Sequence, residues 1–185
     1  MRLLTRNLVA SSLLLVAGVI PAAAQEAAPA KPPSFKDAYL FLLKDTQSKF
    51  VRLAEAMPAE KYSWRPGDGV RSVSEVYMHV AGANYFFLSM VGVKPPAGIS
   101  RDMEKTVTEK EKVVAAIKAS FDNAASAVAG LSDADMSKET KMFGRPATYE
   151  SVLFFMTSHM HEHLGQSIAY ARTNGVVPPW SQKEN

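Results

Sequence analysis

Four histidines and no cysteine set the chemistry open to this chain of 185 residues. His159 and His163 stand four apart, so on a helix their imidazoles share one face about 6 Å from each other. That spacing can present two nitrogens to one ion. Gln166 and Tyr170 continue the same stripe, which turns the inward face polar toward its C-terminal half and makes each residue either a candidate to orient a water or a substrate or, equally, a member of the core. His79, three residues after Val76 and one before Val80, flanks a second apolar stripe and can supply a third nitrogen from across a bundle. His161 lies roughly 200° around the helix from its neighbours at 159 and 163 and is expected to face solvent. Glu162, adjacent to a candidate ligand, cannot share its face and reads as a solvated charge. His161-Glu162 does not make the HExxH zinc-protease pattern, which needs a second His where Gly165 stands.

Without cysteine there is no thiolate nucleophile, disulfide, zinc finger, iron–sulfur centre or lipid-modified N-terminal Cys. A metal must be held by His, carboxylate or water. Three neutral imidazoles suit Zn²⁺, Ni²⁺ or Fe²⁺ and leave a coordination position for water or substrate. The residues alone leave a second reading open, in which these are core histidines bonded to carbonyls or carboxylates. Two imidazoles in adjacent turns would cost several kcal/mol if buried unsatisfied.

The elements that must position these residues are helices. Ser34 to Met57 carries Phe35, Tyr39, Leu42, Phe50, Leu53 and Met57 at helical spacing, and Pro58 stops it. Ser72-Val73-Ser74-Glu75 is a capping box that starts a helix with the stripe Val73, Val76, Tyr77, Val80, Ala83, Phe87 and Met90. Thr108-Glu109-Lys110-Glu111 reads as another, with an earlier turn from about Arg101, and opens a stripe through Val114, Ile117, Phe121, Ala124, Val128 and Leu131. A polar connection from Ser132 to Ala147 follows, and nothing in it reads as a strand. Thr148 caps the last helix, through Val152, Phe155, Met156, His159 and His163 to Arg172, with Gly175, Pro178 and Pro179 beyond. Four amphipathic helices with two longer connections imply an all-α four-helix bundle, a fold that builds metal sites in its core.

Ahead of the helices, Arg2 and Arg6 precede an apolar run from Leu8 to Ile20 and the small residues Ala22 and Ala24, the pattern of a signal peptide over residues 1–24. The run is shorter than the ~20 residues a membrane-spanning helix needs, which favours cleavage over the alternative reading, an uncleaved N-terminal anchor. Residues 25–33, QEAAPAKPP, read as a flexible Ala/Pro linker, residues 34–180 as the bundle, and residues 181–185 as a polar tail. The formal charge of +3 loses Arg2 and Arg6 on cleavage, leaving 19 basic against 18 acidic residues. Nucleic-acid binding is therefore disfavoured, the more so because Lys110, Lys112 and Lys118 are interleaved with acids. The expected location is periplasmic or secreted, with no membrane attachment after cleavage.

The segment His159-x-x-x-His163-Leu-Gly165-Gln166, followed by Ile168, Tyr170, Arg172, Gly175 and Pro178-Pro179, resembles the last helix of the DinB-like (DinB/YfiT) superfamily. Arg71-Ser72-Val73 leading to His79, with Trp64 upstream, is similar to that family's second-helix pattern. The resemblance spans about residues 34–180. It implies an up-down-down-up four-helix bundle with a metal centre at His79, His159 and His163, a homodimer, and a small-molecule substrate that it does not name. Known members include transferases and isomerases dependent on low-molecular-weight thiols; an exported chain is a poor match for those chiefly cytosolic cofactors. The expectation is an exported metal-dependent enzyme of hydrolase or transferase type, with Arg71 and Trp64 as weaker pocket-rim candidates. A non-catalytic bundle that binds a metal or small ligand is the alternative.

Overall fold

Ser34 accepts a hydrogen bond from the Asp37 amide at 3.2 Å and starts α1, Phe35–Ala56. Its buried row is Tyr39, Leu43, Thr46, Phe50, Leu53 and Met57, alternating steps of four and three. Leu42, expected in that row, is instead 42% exposed, because Leu43 occupies the position four after Tyr39. The computed structural model describes residues 32–182. The expected signal peptide, residues 25–31 of the linker and residues 183–185 of the tail lie outside the described residues.

The other long helices are α2, Val73–Met90, then α4, Lys110–Ala129, and α5, Tyr149–Thr173; the single turn Met103–Thr106 between α2 and α4 is α3. Both hydrogen bonds of the capping box at Ser72 and Glu75 form, so α2 begins where the sequence places it. The expected box at Thr108 does not: Glu109 occupies the N-cap without a side-chain bond. Lys110 reaches instead to the carbonyls of Glu55 and Met57, at 2.7 and 2.8 Å, and caps the end of α1. The earlier turn forms as α3, separate from α4.

Side-chain bonds fix the direction of each helix. Lys36 reaches Leu131 O and Gln47 reaches Asp122, so α4 runs against α1. Tyr39 meets Met156 and Thr46 meets His161, so α5 runs with α1. His79 meets His159 while Arg71 O meets Tyr170, so α2 runs against α5. The four helices are therefore up, down, down, up in chain order. Helices α1 and α2, although consecutive, occupy opposite corners, each packed on α4 and α5. Phe50, with ring centroids 6.1 Å from Tyr77 and 5.6 Å from Phe121, joins α1, α2 and α4 at the centre.

The connection before α5 departs from the expected irregular segment. Glu139–Met142 (β1) pairs antiparallel with Arg145–Thr148 (β2), with Met142 opposite Arg145. Phe143 and Gly144 turn the hairpin at φ +51° and +78°, the left-handed pair that a two-residue primed turn requires. Phe is rare there, and Pro146 argues against a strand except at an edge, so the local residues hid the hairpin. Thr140 anchors it to α2 through a 2.6 Å bond to Met90 O.

Candidate metal centre

Two turns of helix separate the Ser72 cap from His79, which places that ring opposite the last helix. On α5 the four-residue step stacks His159 and His163, ring centroids 4.5 Å apart. His79 completes a triangle, with centroids 5.1 Å from His159 and 4.7 Å from His163. One ligating atom from each of the three lies within 4.8 Å of those of the other two. His161 faces outward, with Nδ1 2.9 Å from Thr157 O, and Glu162 is exposed.

Hydrogen bonds decide which nitrogens are bare. The carbonyl of Arg71 can only accept, so Tyr170 donates its hydroxyl proton to it, at 3.1 Å. The Tyr170 oxygen then accepts from Gln166 Nε2 at 3.0 Å, which turns Gln166 Oε1 toward His163 Nδ1 at 2.8 Å. His163 must donate from Nδ1, leaving Nε2 as a free lone pair. A carboxylate does the same for His79: Glu104 Oε2 lies 3.1 Å from Nδ1, while Glu104 Oε1 takes a 2.8 Å bond from Arg71 Nε. Anchored imidazoles of this kind are the usual arrangement behind a metal ligand.

His159 is held differently. Its Nε2 is 3.1 Å from Nε2 of His79, and its Nδ1 is buried with no hydrogen-bond partner. Burial, followed by the neighbouring His163, His79 and Arg71, pushes its pKa down to about 4. Burial likewise lowers His79, with help from Arg71 and His163 and against the pull of Glu104. Burial would raise the Glu104 carboxyl, but the bonds and charges of Arg71 and His79 outweigh it and hold its pKa below the usual value. The cluster at neutral pH thus has neutral imidazoles at 79 and 159 beside an ionised carboxylate. Neutral nitrogen donors are what a borderline divalent cation binds, so the residues present fit such an ion.

Glu104 escaped sequence reasoning. It sits on the one-turn α3, where no periodicity marks an inward face. Its only local signal is a carboxylate one turn downstream of Arg101, in a segment already expected to turn. Gln166 and Tyr170 stand behind His163, with Trp64 edge-on to Tyr170 at 5.2 Å. Arg71 reaches the cluster through Glu104. A cavity of about 660 Å³ opens in front of His79 and His159, lined by Arg71 and Glu104 and walled by phenylalanines of α2, α5 and the hairpin.

Residues 42–167 match the sequence profile of the DinB superfamily. The chain belongs to the DinB superfamily. Solved DinB-like structures share the fold. A DinB-like protein from Bacillus cereus is 20% identical with a TM-score of 0.67, covering 78% of this chain and 93% of its own. YfiT from Bacillus subtilis, described as a probable metal-dependent hydrolase with an unusual four-helix bundle topology, is 18% identical with a TM-score of 0.60, covering 83% and 97%. A conserved protein from Enterococcus faecalis is 16% identical with a TM-score of 0.65, covering 76% and 97%. None of the curated proteins compared with the chain matches it. The up-down-down-up order and the grouping of His79, His159 and His163 are what the DinB-like resemblance implied, and both are present in the fold.

Proposed function

We propose that this DinB protein is an exported metal-dependent enzyme of hydrolase or transferase type, with one divalent ion held by His79, His159 and His163. The observation that carries the reading is the pair of hydrogen-bond chains that strip the proton from Nε2 of both His79 and His163. A core histidine settles both ring nitrogens in hydrogen bonds to its surroundings; here two rings on different helices aim unprotonated nitrogens into the same few ångströms. An ion there supplies Lewis-acid chemistry, polarising a substrate oxygen or acidifying a water.

The chain's own residues have distinct parts in this reading. Glu104 and Gln166 set the tautomers of His79 and His163. Tyr170 fixes the direction of the Gln166 amide, so Gln166 and Tyr170 act as positioning residues rather than at the reacting atoms. Arg71 keeps Glu104 ionised and, at the cavity wall, offers its guanidinium to a polar substrate group. The phenylalanine wall excludes water from one side of the cluster. Export disfavours thiol transfer and leaves hydrolysis as the preferred reaction class, in keeping with the description of YfiT.

One observation favours a non-catalytic binding bundle instead. Among the described residues Glu104 is the sole carboxylate lining the cavity, and Arg71 and His79 already engage it. Among the described residues no spare carboxylate stands in the cavity beside the three imidazoles. Cobalt-substituted protein separates the two readings: a visible absorption band that shifts on adding acetohydroxamate shows an open coordination position and supports catalysis. A band unmoved by acetohydroxamate shows a closed site and supports the binding bundle.

A further inference from the structure

The wall of the cavity is more specific than the metal cluster requires. Phe87 stands edge-on to His159 at 5.6 Å and contacts Phe155 at 5.5 Å and Phe143 at 6.2 Å. Phe143 in turn meets Phe155 at 5.5 Å and Phe86 at 6.3 Å. Four rings from three separate elements thus make one apolar strip that begins at the imidazoles and ends at the hairpin tip. Phe86, Phe143 and Phe155 remain 42%, 59% and 40% exposed, so these rings are not simply filling the core. A cluster of exposed aromatics is costly to leave in water. Phe143 also holds a left-handed backbone angle that a phenyl residue rarely adopts. The strip lines a concave cavity within the 300–1,000 Å³ range of small-ligand pockets, which favours a small molecule over a flat protein surface.

We infer that the substrate is an amphiphile whose polar, oxygen-bearing head meets the histidine centre and whose apolar tail, a medium-length acyl or arylalkyl chain, lies along Phe87, Phe155, Phe143 and Phe86. This rests on the metal reading for the head and on the aromatic strip alone for the tail. Phe143, carried on a two-residue turn, is the residue that sets tail length.

Zinc-loaded full-length protein titrated by calorimetry with acetohydroxamate and octanohydroxamate tests the pairing. Six further methylenes buried against the strip make octanohydroxamate bind at least about 30-fold more tightly. Phe155→Gln and Phe143→Asn, the latter suited to the left-handed turn, each weaken octanohydroxamate at least about fivefold while zinc content and acetohydroxamate affinity stay unchanged. The tail is read separately by titrating metal-free protein with 1-octanol and following the amide signals of Phe87, Phe143 and Phe155 by ¹⁵N NMR. Saturable shifts that weaken in Phe155→Gln uphold the tail site even if zinc does not bind. Equal affinity for the two hydroxamates in zinc-loaded protein leaves the metal reading intact and overturns the tail. A dimer that Phe143→Asn converts to monomer also overturns it, by making the strip a contact between copies.

Discussion

His159 is the one imidazole of the three whose Nδ1 has no hydrogen-bond partner, and burial, with its neighbours, keeps it uncharged. Its depressed pKa has a definite consequence for metal-free protein. Above pH 6.5, the ordinary value, the ring is neutral folded and unfolded and contributes no pH dependence. Between 6.5 and about 4 the unfolded chain binds a proton that the folded chain refuses, so stability falls as pH falls. Thermal melts in that window are expected to lose stability more steeply for wild type than for His159→Gln; identical slopes contradict the assigned burial. The anchoring groups give a second test. Glu104→Gln and Gln166→Leu are each expected to weaken zinc binding about 10- to 100-fold, as loss of an outer hydrogen bond does elsewhere, measured by competition with a chromophoric chelator. The three clustered histidines were legible in the sequence because a four-residue step and a flanking stripe position are properties of a helix. Glu104 was not, because one turn of helix has no period to read.

Caps and turns decide where the three histidines sit along their helices. Ser72, 2% exposed, starts α2 and so sets the height of His79. Ser72→Ala is expected to cost about 1 kcal/mol in urea unfolding and to weaken zinc binding as α2 frays from that end. The hairpin has an equivalent weak point at Gly144, where φ of +78° makes Gly144→Ala cost about 1–2 kcal/mol. Both caps at Ser72 and Thr148 were legible from side chains that bond their own backbone three residues on. The apparent box at Thr108 was misleading because tertiary contact intervened: Lys110 is drawn to the end of α1. The hairpin was hidden because its pairing depends on a Phe-Gly turn held by rings from α2 and α5, and no local residue signals that.

At the scale of the whole molecule, the placing of α1 and α2 at opposite corners brings α2 beside α5 and the third histidine to the other two. Stripe spacing established helices and their number but not which corner each takes; that came from the DinB-like resemblance and stands in the fold through the Lys36, Thr46 and Arg71 contacts. Export is proposed from the N-terminal pattern, and sequencing of protein from the periplasm or medium is expected to begin at Gln25; a start at Met1 contradicts it. The central claim, that the three rings form one metal centre, is tested most directly by elemental analysis of purified protein beside His159→Ala and His163→Ala, each checked for folding by circular dichroism. About one divalent ion per wild-type chain, lost in both folded variants, is the expected result. Wild-type protein that holds no ion after incubation with zinc, nickel or iron, or variants that retain as much as wild type, contradicts it.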